Sequence, residues 1–135
     1  MPGDVAGERE LIREGFAGWN EGDYDFILNS AAIDIEIFSR FGSLTREPYR
    51  GRRGVREWLA EIQLGFERFD LWLDEARDLG DDVLAIGGIS FRARGSGIDM
   101  KERMSWVFEF REGRVARMRF YAPPTDALEA VGLRE

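Results

Sequence analysis

Helical spacing fills the first half of this chain and strand-like runs fill the second, and that order narrows the fold more than any other feature. From residue 71 onward, glycine-bearing turns at Gly80-Asp81-Asp82, Gly95-Ser96-Gly97 and Arg111-Glu112-Gly113 cut the sequence into strands at 71–79, 83–94, 98–110 and 114–122. Ahead of them, Leu11, Ile12, Phe16 and Trp19 recur at the spacing of one helix face. Asn20-Glu21-Gly22 closes that helix, and Asp23 stands where it can cap a second, short one carrying Phe26, Ile27 and Leu28. Ile33, Ile35 and Ile37 alternate with Asp34 and Glu36, the pattern of a half-buried strand over 33–39. Val55, Trp58, Leu59, Ile62, Phe66 and Phe69 then mark one face of a long helix over 53–69. Pro123-Pro124 ends the last strand, and Thr125 or Asp126 can cap a short terminal helix.

Helices followed by a meander of strands is an α+β order, so the sheet is expected to curl around the long helix. The 135 residues make one domain over 1–135, with 1–7 as a loose arm. The chain has no cysteine and no histidine, and Lys101 is its only lysine. Disulfides, thiol nucleophiles, Ser-His-Asp arrangements and His or Cys metal sites are therefore excluded. A formal charge of −7 disfavours a nucleic-acid partner. Apolar runs such as Val83-Leu84-Ala85-Ile86 fall far short of a membrane span, and no basic-then-apolar leader opens the sequence. A cytoplasmic protein with no membrane partner is the expectation.

The last hairpin decides which side chains face inward. A two-residue turn would set Trp106 and Phe108 beside Arg119 and Arg117, whereas a three-residue turn sets Phe108 by Ala116, Trp106 by Met118 and Met104 by Phe120. The second keeps the faces consistent and is the expected one. One face then carries Met104, Trp106, Phe108, Phe110, Met118 and Phe120, and the other Ser105, Val107, Glu109, Val115, Arg117, Arg119 and Tyr121.

With its elements in this order, the chain resembles the nuclear-transport-factor-2-like superfamily, and within it the SnoaL-like branch. The matching pieces are FAGWNEGDYDFIL at the first helix pair, YRGRRGVREWLAEI entering the long helix, EFREGRVARMRFY at the last hairpin and DALEAVGL at the end. The resemblance implies a cone-shaped, strongly curved mixed sheet wrapped around a long helix, with two N-terminal helices, a short C-terminal helix and a pocket at the wide end. It also implies a homodimer through the outer sheet face, here Val107, Glu109, Val115, Arg117, Arg119 and Tyr121. The fold hosts isomerases, cyclases, hydratases, transport factors and binding modules, so it does not by itself assign an activity.

The family's chemistry does not transfer to these residues. In the ketosteroid-isomerase-like members, a helix-one Tyr, a first-strand Asp base and a partner Asp handle the proton, and their positions fall on Gly15, Ile37 and Trp106. The His and acid of SnoaL-type cyclases fall on Met118 and Phe120, and the Asp-Arg-Asp set of epoxide-hydrolase-like members has no inward counterpart. Glu36 lies one residue from the base position but on the opposite strand face.

The inward residues are apolar, and two readings of them stand: plain core packing, or a pocket for a small apolar ligand. The pocket reading names Trp19, Ile37, Tyr49, Trp58, Phe91, Met104, Trp106, Phe108, Met118 and Phe120 as its lining, with Tyr49 the polar group at its mouth and Ala85 and Gly87 leaving space. Asp99 is a second candidate for the mouth. Arg50, Arg52, Arg53 and Arg56 cluster at a helix start, where they can hold an anion or pair with surface acids. The carboxylate pairs Asp81-Asp82 and Asp74-Glu75 border turns or solvent, so no metal, cofactor or catalytic residue is expected. The alternatives are an isomerase, polyketide-cyclase-like or dehydratase enzyme, and a dimeric interaction module without a ligand.

Overall fold

The structure, a computed structural model, describes residues 5–39 and 48–121. Helix α1 spans Val5–Glu21 and α2 Tyr24–Ser30; strand β1 spans Ala31–Phe38 and β2 Tyr49–Arg50; helix α3 spans Gly51–Gly65; and strands β3 to β6 span Phe66–Asp78, Asp82–Ala93, Asp99–Arg111 and Arg114–Tyr121. The six strands form one curved mixed sheet in the order β2-β1-β6-β5-β4-β3, in which only β1 and β6 run parallel. The expected α+β architecture is thus present. The terminal helix expected after Pro124 lies outside the described residues.

The Asn-Glu-Gly-Asp joint is built by backbone geometry. Gly22 adopts φ +79, and two reverse hydrogen bonds close α1: Gly22 N–H donates to the Trp19 carbonyl (3.1 Å) and Asp23 N–H to that of Gly18 (2.7 Å). This is a Schellman ending, which needs a left-handed residue at Gly22. The Asp23 carboxylate then accepts from Phe26 N–H at 3.2 Å and caps α2. Asn20 clips the joint to the sheet, because its amide donates to the Leu71 carbonyl (2.7 Å) and accepts from Leu71 N–H (2.8 Å).

Several boundaries differ from the sequence reading. Helix α1 begins at Val5, inside the stretch expected to be a loose arm. Helix α3 stops at Gly65, so Phe66 and Phe69 lie on β3. Phe66 is already extended (φ −130, ψ 137) and joins Phe69 and Phe91 in an aromatic trio, with ring centroids 5.0, 5.4 and 6.2 Å apart. That contact outweighs helical periodicity in a tail led by a glycine. Ile33 is 80% exposed, because the β1–β6 register shifts between Ala31 and Glu36 and only Ile35 and Ile37 reach the core.

The last hairpin also corrects the expected turn. Glu112 (φ 54) and Gly113 (φ 78) form a two-residue turn with both central residues left-handed, and Arg111 pairs with Arg114. A bulge at Ala116 then moves the register by one, so Trp106 pairs with Phe120 and Phe108 with Met118. The bulge keeps Met118 and Phe120 on the inner face despite the shorter turn. It also brings Val115 inward beside Phe110, off the outer face on which it was expected. Val107 is on the outer face but buried, in a small cluster with Leu84 flanked by Leu79, Ile86 and Tyr121.

The main core lies between the concave side of the sheet and the helices. Gly87 lets the sheet bend around it. A Cβ on Gly87 would stand 1.9 Å from the Trp72 carbonyl oxygen, beside a register shift at Leu73/Glu75. The space that Gly87 was expected to leave is therefore filled by the neighbouring strand, and Ala85 is fully buried between Ala76 and Trp106 in the sheet.

Candidate ligand cavity

Seven elements, three helices and four strands, converge on a cavity of about 90 Å³. Helix α1 contributes Leu11, Ile12, Gly15, Phe16 and Trp19, while α3 contributes Val55 and Trp58. The sheet supplies Ala31, Ile35 and Ile37 from β1, Phe69 and Leu71 from β3, Trp106 and Phe108 from β5, and Val115, Met118 and Phe120 from β6; Ile27 and Ser30 of α2 complete the lining. Rings follow one another around it: Phe16 to Trp106 (4.9 Å), Trp106 to Phe120 (5.9 Å), Phe120 to Trp58 (5.8 Å), Trp58 to Trp19 (5.3 Å) and Trp19 to Phe69 (5.8 Å). Most of these contacts are edge-to-face, the arrangement aromatic quadrupoles favour.

Among the described residues, none of this lining carries a titratable side chain. Three of its side-chain donors are already committed to protein acceptors. Trp19 Nε1 donates to the Phe69 carbonyl (2.7 Å), Trp58 Nε1 to Ser39 Oγ (2.9 Å), and Ser30 Oγ to the Ile27 carbonyl (2.9 Å). The described wall attracts apolar surface, and none of its side chains is an acid or base.

Of the ten residues expected to line a pocket, Trp19, Ile37, Trp58, Trp106, Phe108, Met118 and Phe120 meet here. Tyr49, Phe91 and Met104 do not line the cavity. Tyr49 pairs across from Ile37 on β2, and its hydroxyl donates to the Glu61 carboxylate. Phe91 belongs to the aromatic trio with Phe66 and Phe69, and Met104 is buried opposite Gly87. The α1 residues Leu11, Ile12 and Phe16 were legible as a helix face but not as a wall. Val115 was hidden by the bulge, which leaves no mark in the sequence.

Gly15, Ile37, Trp106, Met118 and Phe120 all border this one cavity. These are the seats to which the resemblance assigns polar groups in catalytic relatives. A Cβ on Gly15 meets nothing within 4 Å, so the missing side chain leaves open space there.

Charged groups gather elsewhere. Asp99, a candidate for the mouth, is paired at the exposed end of the sheet with Arg92 (2.9 Å) and Arg68 (3.2 Å), and Arg92 holds its carboxyl below the usual carboxylate range. Glu36 is likewise lowered, by hydrogen bonds from Arg50 and Arg117 on the outer face. Asp82 is raised by burial and by the nearby Glu109. In the basic cluster, Arg50 pairs with Glu36 (3.1 Å) and Arg53 with Glu57 (3.4 Å). Among the described residues, no group of three or more acidic side chains is placed to hold a metal ion, and no helix is long and apolar enough to cross a membrane.

The model of the SnoaL-like domain family matches residues 12–118. The chain belongs to that family. No curated protein matches it significantly. Solved structures similar to this SnoaL-like chain include a nuclear-transport-factor-2-like protein of unknown function from Burkholderia pseudomallei, with TM-score 0.76 and 15% identity over 93% of this chain and 98% of that one. A second is a protein with a ketosteroid-isomerase-like fold from Catenulispora acidiphila in complex with trimethylamine, with TM-score 0.74 and 17% identity over 93% and 94% of the two chains. A third is a putative SnoaL-like polyketide cyclase from Jannaschia, with TM-score 0.73 and 18% identity over 96% and 94%. At these identities the likeness shows the shared fold.

Proposed function

We propose that this SnoaL-like protein binds a small, mainly apolar molecule in the cavity between α1, α3 and the concave sheet, without catalysing proton transfer. The observation that carries the reading is the lining itself: a ring of aromatic and aliphatic side chains with no titratable group among the described residues that border it. An isomerase, cyclase or dehydratase needs an acid or base within hydrogen-bond reach of its substrate. The trimethylamine complex of the Catenulispora protein is consistent with a fold that takes small molecules. The setting proposed is the cytoplasm, in keeping with a chain that has no cysteine to oxidise.

Benzene and toluene are suitable probes for a cavity of this size and character. At a free concentration tenfold above its Kd, either is expected to stabilise the protein by about 1.4 kcal/mol, which raises Tm by roughly 5 °C. Calorimetric titration of the same probes should give one site per chain. A flat titration together with an unchanged Tm would remove the binding reading and leave plain core packing.

The proposed partner is a second copy of the chain, meeting the outer sheet face at Glu109, Arg117, Arg119 and Tyr121. Glu109 pairs there with Arg117 (3.2 Å) and Arg119 (3.4 Å), and Arg117 also reaches Glu36 (3.1 Å). Alternating charge of this kind is self-complementary under a two-fold axis. Sedimentation equilibrium is expected to report twice the 15.5 kDa of the chain, with the double variant Arg117→Glu, Arg119→Glu shifted toward monomer. A monomer mass for the unaltered protein at high micromolar concentration would end the proposal.

A further inference from the structure

We infer that the cavity selects an uncharged ligand bearing one hydrogen-bond acceptor, such as a ring nitrogen, ether or carbonyl oxygen, and that Trp106 Nε1–H is the donor that reads it. The inference rests on the cavity being a ligand site. Of the four described side chains in the lining that carry a donor, Trp19, Trp58 and Ser30 have theirs taken by protein acceptors. Trp106 is 1% exposed, and its Nε1–H meets no acceptor among the described residues. Its neighbours Phe16 and Phe120, in T-shaped contact, are hydrocarbon rings with no N or O acceptor on their side chains.

Nor is Trp106 Nε1 sealed in. Among the described residues, the buried side-chain atoms without a partner are the Nε atoms of Arg9, Arg52 and Arg117. The little surface that Trp106 retains therefore includes its N–H, and Trp106 lines the cavity. A donor held in an apolar site without a partner is costly, and a ligand that supplies the acceptor removes the cost. The same chemistry rejects ions. A carboxylate or phosphate would be stripped of water against carbon walls with a single N–H in return, and a cation would face the positive end of the N–H dipole. What remains is a neutral molecule, apolar over most of its surface and polar at one point.

Benzene and pyridine test this, because they share a shape and differ by one acceptor nitrogen. Pyridine is neutral at pH 8. Calorimetric Kd values are measured for both probes with the unaltered protein and with Trp106→Phe. Loss of the N–H is expected to weaken pyridine about fivefold to tenfold while benzene stays within about twofold. Equal changes for both probes, or none for either, overturn the inference while leaving the ligand site standing. Failure of both probes to bind the unaltered protein overturns the ligand site and the inference together. Should Trp106→Phe not fold, the indole ¹H–¹⁵N cross-peak of Trp106 in the unaltered protein decides. Assigned through its contacts with Phe16 and Phe120, it should move downfield when pyridine saturates the site but not when benzene does. Identical shifts with the two probes count against the donor role.

Discussion

Gly87→Ala is expected to destabilise the protein by at least about 3 kcal/mol and to lower Tm by roughly 10 °C. The new Cβ would stand 1.9 Å from the Trp72 carbonyl oxygen, 2.9 Å from the carbonyl carbon and 3.0 Å from the Leu73 Cα. All three are backbone atoms, so no rotamer change relieves the clash. Either β3 pulls away from β4, or the bulge at Leu73/Glu75 is rebuilt. Gly65→Ala is the control. That glycine ends α3, a Cβ there meets nothing within 4 Å, and Ala is the better helix former, so its effect should be neutral or mildly stabilising. Urea denaturation followed by circular dichroism measures both. A Gly87→Ala midpoint equal to that of the unaltered protein would mean that the sheet does not need its close approach at this point.

The second large effect is expected from Ile37→Asp, which places a carboxylate in the cavity wall at a position only 1% exposed. No cation lines the site among the described residues, so burial should raise the folded-state pKa by about three units above an unfolded value of about 3.9. The sign follows from linkage. Below pH 4 the group is protonated in both states and carries no ionisation penalty. Between that point and the raised pKa, the unfolded chain ionises while the folded one does not, and stability falls by about 1.4 kcal/mol per pH unit. The loss levels off near 4 kcal/mol at neutral pH. Ile37→Asn, similar in shape and unable to ionise, supplies the reference, and the readout is the difference between the two variants in urea at pH 4.5 and pH 7.5. A difference that does not change with pH would show that the cavity can solvate a carboxylate, and the case against a proton-transfer site would weaken accordingly.

Local rules carried much of the fold. Apolar spacing of 3.6 residues marked α1 and α3, glycine turns marked the strand breaks, and Gly22-Asp23 marked a helix stop followed at once by a helix start. Each of these depends on residues near one another in the chain, which is why a sequence discloses them. The misplaced elements share a different cause. Phe66 and Phe69 continue the periodicity of α3 but serve β3, because Phe91, more than twenty residues away, completes their cluster. Ile33 continues the alternation of β1 but is turned out by a register shift against β6. Tyr49 looked like the polar group at a pocket mouth until Glu61, on the next helix, took its hydroxyl.

Composition and residue identity settled what chemistry is excluded. Without histidine or cysteine the chain has no Ser-His-Asp or thiol chemistry, and glycine, isoleucine and tryptophan stand at the positions to which the resemblance assigns polar groups. Whether those apolar residues fill a solid core or surround a space was a matter of packing. Packing depends on how far the sheet bends at Gly87, on the bulge at Ala116 that turns Val115 inward, and on the empty place beside Gly15. These are contacts between segments distant in sequence, and their balance of close approach and gap exists only once the strands have closed around the helices.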